Sequence, residues 1–229
     1  MTAHFTPAAF AFLRRLQRNN NRESFHAHKQ TYERHVREPF QQLLIDLQPA
    51  LQAISPHLRS DPRTHGGSLY RIQRDTRFTA DKTPYKPWQG AHLFHERRRE
   101  VPAAPGFYIH LQPDGCFVAA GVWHPPPESL RRIRQFIVDN PAAWELAAHS
   151  PAVQKHCRFG DHEQLKRPPR GFPADFDRLD DLKQRNVVLY RTMADDVFTS
   201  NRLQATLVRE LKRMAPFVDY LCAALDLEF

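Results

Sequence analysis

Cysteine is scarce in this chain. Three residues (Cys116, Cys157, Cys222) stand far apart among 229, with no CxxC pair. Such a set cannot close a disulfide framework, and it predicts a reducing compartment, the cytoplasm. Glycine is low at 8, and neither a P-loop nor a GxGxxG motif occurs, which disfavours a nucleotide-cofactor fold. There is no GxSxG, and no cysteine has an evident activating neighbour beyond the sequence adjacency of His156 and Cys157. HExxH and Cys/His ligand spacings are also missing, so no metal is assigned even with 13 histidines. His92, His95, Glu96, His110 and His124 are the only set that invites the thought, while His26 and His28 would point to different helix faces. No apolar run reaches about 18 residues, which argues against a membrane span. The opening stretch "MTAHFTPAAFAFLRRLQRNN" lacks a basic region ahead of an apolar core, so no signal peptide is expected.

Hydrophobic residues make up 41% and charged residues 25%, a globular balance. A chain of this length buries roughly 70% of its unfolded surface. The net charge is +8, with arginine outnumbering lysine 26 to 7, which biases the protein toward anionic partners. The 19 prolines fall mostly at element boundaries and read as punctuation.

Thr6-Pro7 opens a first helix carrying Phe10, Leu13 and Leu16, ended by "RNNN". A second helical region starts near Asn21 and runs to Ile54, with a kink or two abutting helices expected at Pro39. "GGSLYRIQR" reads as a turn and a strand. A short strand includes His92 to His95. Gly106 to Trp123 reads as a hairpin turning at Asp114-Gly115. "ESLRRIRQFIVDN" is an amphipathic helix, Asn140-Pro141 caps a short one with Trp144, and "NVVLYRTM" is a strand. Arg202 to Ala215 and Pro216 to Leu225 read as two helices divided by Pro216. Trp88, Phe94, Trp123 and Trp144 are expected in the core, and "ERRRE", Glu96 to Glu100, in a solvated turn. The order helices, sheet, helices predicts one α+β domain over residues 1–229, a central, mainly antiparallel sheet packed by N-terminal and C-terminal helices.

One stretch stands out. "RIQRDTRFTADKTPYKP", Arg71 to Pro87, carries five cations and two carboxylates, with Phe78 and Tyr85 between them. Asp75 and Asp81 can neutralise only part of that charge. Arginine forks and a lysine point charge suit phosphate or carboxylate. Arg71, Arg74, Asp75, Arg77, Phe78, Lys82 and Tyr85 fit RxxRDxRFxxxKxxY. This resembles the signature of a family of bacterial conserved hypothetical proteins of about this length, a domain of unknown function. Asn20, Asn21, Phe25, Lys29 and Tyr32 resemble its N-terminal segment, and Leu165 to Phe172 its LKRxPRGF segment. Ser24 stands where the family pattern has tryptophan, and His28 where it has asparagine. The resemblance implies no activity.

From the residues themselves, the first reading is a pocket for a small anionic, phosphorylated ligand. Arg71, Arg74, Arg77, Lys82 and Tyr85 would form it, with Asp75 orienting an arginine or acting as a base. Lys166, Arg167 and Arg170 would be a second wall. A nucleic-acid-binding module is the alternative, since aromatics interleave with cations. A structural salt-bridge motif with an interaction role is the third. Asp75 and Asp81 also leave a paired-carboxylate mechanism open. No cofactor is indicated, and the oligomeric state and any reaction are not legible.

Overall fold

The computed structural model describes residues 3–63, 65–160 and 163–229. Helix α1 (Pro7–Arg18) follows an extended Thr6, with proline in the first turn where its missing N–H costs nothing. Asn21 caps α2 (Arg22–Ala27), accepting from the Ser24 amide at 2.8 Å. The short α3 (Lys29–Tyr32) runs into a π-helical turn, Glu33–Arg37, and then into α4 (Glu38–Ile54). Pro39 explains the wide turn: it offers no N–H to His35, and its ring crowds that carbonyl.

Strands β1 (Leu58–Arg59), β2 (Gln89–His95), β3 (Gly106–Leu111) and β4 (Cys116–Val122) follow. Next come α5 (Pro127–Asp139), α6 (Pro141–His149), α7 (Pro151–Gln154), β5 (Arg158–Phe159) and α8 (Leu179–Lys183). The chain closes with β6 (Val187–Met193), α9 (Asp195–Thr199) and α10 (Leu203–Ala224). The six strands form one antiparallel sheet in the order β1-β2-β3-β4-β6-β5. The fold is α+β.

Four sequence expectations change, one of them Trp88, which is only partly buried and lies outside the core. "GGSLYRIQR" is no regular strand; it touches β2 at the single bridge Leu69↔Ala91, because β1 already pairs the far end of β2. Pro216 does not divide the last helix. Leu207, Leu211 and Met214 before it and Phe217, Val218 and Leu221 after it are all buried. Burying that continuous face outweighs the one lost hydrogen bond, and Pro216 itself is exposed. Trp123 is not core but 59% exposed: Val122 points inward, so alternation turns the next side chain out.

Pairing fixes two sheet faces. Ala91, Leu93, Phe107, Ile109, Val118, Ala120 and Leu189 are buried on one, where α10 packs on β4 and against α4. The buried Glu210 of α10 pins β6 through Arg191 and also holds Arg209 and Arg213. The opposite face presents His92, Tyr108, His110, Phe117 and Tyr190. The three cysteines are free and buried. Among the described residues no helix is long and apolar enough to cross a membrane.

Candidate functional site

The charged segment leaves β2's edge as an irregular two-sided ribbon. Gln73 bridges Tyr85, Arg74 N donates to the Pro84 carbonyl at 2.9 Å, and Lys86 N donates to the Ile72 carbonyl at 2.8 Å. Two apolar anchors, Ile72 and Tyr85, are buried, and the polar residues between them project outward. At its base, the buried Gln89 accepts from Tyr32 Oη at 3.0 Å and donates to the Tyr70 carbonyl. Helix α3, strand β2 and the start of the ribbon are thereby linked.

Within the ribbon, most of the charge is met internally. Arg74 pairs with Asp81 and also reaches Thr83. Arg77 grips Asp75 with two bonds of 2.9 and 2.7 Å. Lys82 Nζ donates to the Thr76 carbonyl at 2.9 Å. The Asp75 carboxyl is held well below the usual range by the Arg77 hydrogen bonds. Asp81 is lowered to about 2, first by Arg74 and then by the Thr83 amide. A carboxylate so depressed is a poor proton acceptor at neutral pH. Each aspartate has its own arginine, which is not the shared-proton arrangement of a carboxylate dyad.

The remaining predicted residues separate. Arg71 is exposed and closes no ion pair among the described residues. The Tyr85 ring lies inside, stacked on Phe25. Lys166, Arg167 and Arg170 are exposed and likewise unpaired among the described residues. Their loop is tied to the other end of the sheet, where Gln164 bridges Gln184 and Leu165 N donates to the Lys183 carbonyl. With strands about 4.8 Å apart, the sheet order separates the two basic loops' anchor points rather than bringing them together as facing walls.

A group the sequence reading passed over lies beside Arg71. The half-buried Lys86 sets its ammonium 4.9 Å from the Trp88 ring centre and 5.6 Å from that of Tyr70, and donates to the Arg71 carbonyl at 2.9 Å. Burial lowers its pKa, and the charges of Arg71 and Arg74 lower it further; among the described residues no carboxylate pairs with it. Trp88 lies 4.8 Å from His110, which stacks on Phe117 at 4.5 Å. Tyr108 Oη lies 2.8 Å from His110 Nδ1, and His110 Nε2 lies 3.0 Å from Gln112 Oε1. The Gln112 oxygen can only accept, so Nε2 carries the proton and Nδ1 accepts from Tyr108. Both nitrogens are engaged, and burial lowers the His110 pKa, so this chain orients side chains and offers no free base. Tyr108 fits only because residue 90 is glycine; a Cβ there would stand 2.1 Å from its hydroxyl. The sequence signal was the spacing of Tyr70, Lys86 and Trp88, one cation framed by two aromatics, but only the ribbon's folding brings Tyr70 back to it.

Among the described residues no group of three or more His, Cys, Asp or Glu could hold a metal ion. His92 and His110 lie on the sheet face away from α10, whereas His95 is on the other face, bonded to the Glu228 carbonyl at 2.9 Å, so these histidines do not converge.

No curated protein and no solved structure matches the chain. A family model described as "Conserved hypothetical protein (DUF2461)" matches residues 8–220, a span that includes the ribbon, its anchors in α2 and α3, and the second basic loop. The chain belongs to the DUF2461 family of conserved hypothetical proteins.

Proposed function

We propose that this protein binds a small anionic, phosphorylated ligand at the base of the ribbon, with Arg71 and Lys86 as the principal contacts. One observation carries the reading: the Lys86 ammonium lies beside the Tyr70 and Trp88 rings, bonded to the Arg71 carbonyl, and forms no ion pair among the described residues. Burying uncompensated charge is unfavourable, and an incoming anion relieves it. Tyr70 and Trp88 supply a flat apolar wall beside the cations. Arg74, Arg77 and Lys82 contribute positive field from the ribbon, and Asp81 and Asp75 fix the orientation of the two arginines. The buried Tyr85 acts through the ribbon's position. Lys166, Arg167 and Arg170 act at a distance, by drawing anions to the protein's surface.

The test is calorimetric titration of phosphate and of phosphorylated compounds into the wild-type chain and into Arg71→Gln, Lys86→Gln and Arg74→Ala variants. Loss of roughly tenfold in affinity for the first two is expected. Equal affinity in folded Arg71→Gln and Lys86→Gln would remove this site.

A second reading, nucleic-acid binding, rests on Phe78, which is 89% exposed at the ribbon tip with the Arg77 guanidinium 5.4 Å from its centre. Polynucleotide binding would weaken steeply between low and moderate salt, and a small-ligand site much less. The third, a structural ion-pair motif, draws support from the Arg74–Asp81 and Arg77–Asp75 pairs.

A further inference from the structure

The turn from Glu96 to Glu100 reads from sequence as solvated, and so it is in the structure: all but the partly buried Arg98 are exposed. With β1 and the loop after it, the turn walls a groove of about 630 Å³. Arg59, Arg63, Arg98 and Arg99 line it, with two carboxylates, Asp61 and Glu96, among the described residues. Both carboxylates are already engaged. Asp61 holds Arg63 at 2.7 Å, and Glu96 holds Arg59. Glu100, beyond the groove, holds Arg97 at 2.7 Å. Arg98 and Arg99 are left without a carboxylate of their own among the described residues.

These two arginines are differently set. Arg98 lies with its guanidinium carbon 3.3 Å from the Phe94 ring centre and donates to the Gly66 carbonyl. It is fixed in place; burial and then Arg99 weaken its hold on its proton, and Asp61, already bonded to Arg63, offsets this only in part and forms no ion pair with it. Arg99 is exposed beside it.

We propose that this groove is a binding site for a compact polyanion of the diphosphate class, gripped by Arg98 and Arg99. Two unmatched guanidiniums on adjacent residues fit a ligand of about two charges, and their forks suit phosphate oxygens. The groove is open to solvent and wide enough to admit a compact anion. Arg98 is already ordered by Phe94 and Gly66, so little freedom is lost on binding. A polynucleotide fits less well: Phe94 is covered by Arg98 and only 7% exposed, which leaves no ring face in the groove for a base. The groove shares no lining residue with the contacts proposed for Lys86, although Tyr70 lies near both.

The experiment titrates the full chain calorimetrically with inorganic pyrophosphate and with ADP, alongside thermal unfolding of each variant. Arg99→Gln should weaken pyrophosphate binding about tenfold or more. Glu96→Gln, which releases Arg59 into the groove, should tighten it severalfold. Lys86→Gln should leave it unchanged, so failure here and failure of the Lys86 reading are separable. Arg98→Gln risks disturbing the turn, and the exposed Arg99 provides the decisive variant. ADP and pyrophosphate binding alike indicates that the diphosphate suffices; tighter ADP binding indicates a nucleotide-borne one. No pyrophosphate binding, equal affinity in the wild type and Arg99→Gln, or an oligonucleotide that pyrophosphate fails to displace would overturn the proposal.

Discussion

Tyr85 stacks on Phe25 with ring centres 4.1 Å apart and planes 17° from parallel. Asn20 joins the same contact: its side chain donates to the Tyr85 carbonyl at 2.8 Å and accepts from the Tyr85 amide at 3.0 Å. Two segments sixty residues apart, both part of the family resemblance, thus meet in one packed joint. These residues hold the ribbon to the helices, so a motif residue need not be a contact residue.

Replacing Asn20 with alanine removes both bonds and leaves the Tyr85 backbone unpaired. A cost of about 1–3 kcal/mol is expected, read as a lowered midpoint in urea unfolding. Hydrogen exchange should accelerate across Ile72 to Lys86. A fully stable variant would show that the joint is dispensable.

Tyr85 separates packing from recognition. Tyr85→Phe keeps the stacked ring and should change neither stability nor anion affinity appreciably. Tyr85→Ala empties the position and should cost about 3–5 kcal/mol, as for buried aromatics elsewhere. If Tyr85→Phe abolished ligand binding while folding normally, the hydroxyl would be a direct contact.

Acid should loosen the ribbon in a defined window. The Asp81 pKa is lowered to about 2 in the folded chain, against about 3.9 unfolded. The unfolded chain therefore takes up this proton first as pH falls. The contribution is complete above about pH 4 and is lost as pH drops toward 2. Carbon-detected titration of the Asp81 carboxyl in Arg74→Gln should move its midpoint upward, toward the ordinary value. An unchanged midpoint would mean that Arg74 does not hold Asp81 in solution.

His92 gives a second window, at milder pH. Burial and the nearby Arg98 lower its pKa to about 4, below the unfolded value of about 6.5. Unfolded chains again bind the proton first, so stability falls as pH goes from 6.5 to 4 and this contribution levels off below. The shift corresponds to about 3 kcal/mol as an order of magnitude. His92→Leu should flatten that part of the profile relative to wild type in urea unfolding at pH 7 and pH 4.5. A variant with the same slope as wild type would assign the pH dependence elsewhere.

The helices were legible because their periodicity is local. Thr6-Pro7, Asn21 and the spacing of Leu43, Leu47 and Leu51 mark ends and faces without reference to the rest of the chain. The β3–β4 hairpin was legible for the same reason, since alternation and Asp114-Gly115 lie within it. Pro216 misled because a local breaker competes with a face buried along the whole helix, a quantity no short window contains. "GGSLYRIQR" misled because its partner strand was already partly taken.

The sequence by itself determined the α+β class, the longer helices, the central hairpin and the excess of positive charge, since composition and short-range pattern suffice for these. Which charges remain unmatched was decided only in three dimensions. Asp75 and Asp81 close on Arg77 and Arg74, while Arg71, Arg98 and Arg99 form no ion pair among the described residues. Lys86 acquires its aromatic frame when Tyr70 folds back beside Trp88. The reason is physical: electrostatic neutralisation depends on separations of a few ångströms, and the pairing of distant strands sets those separations.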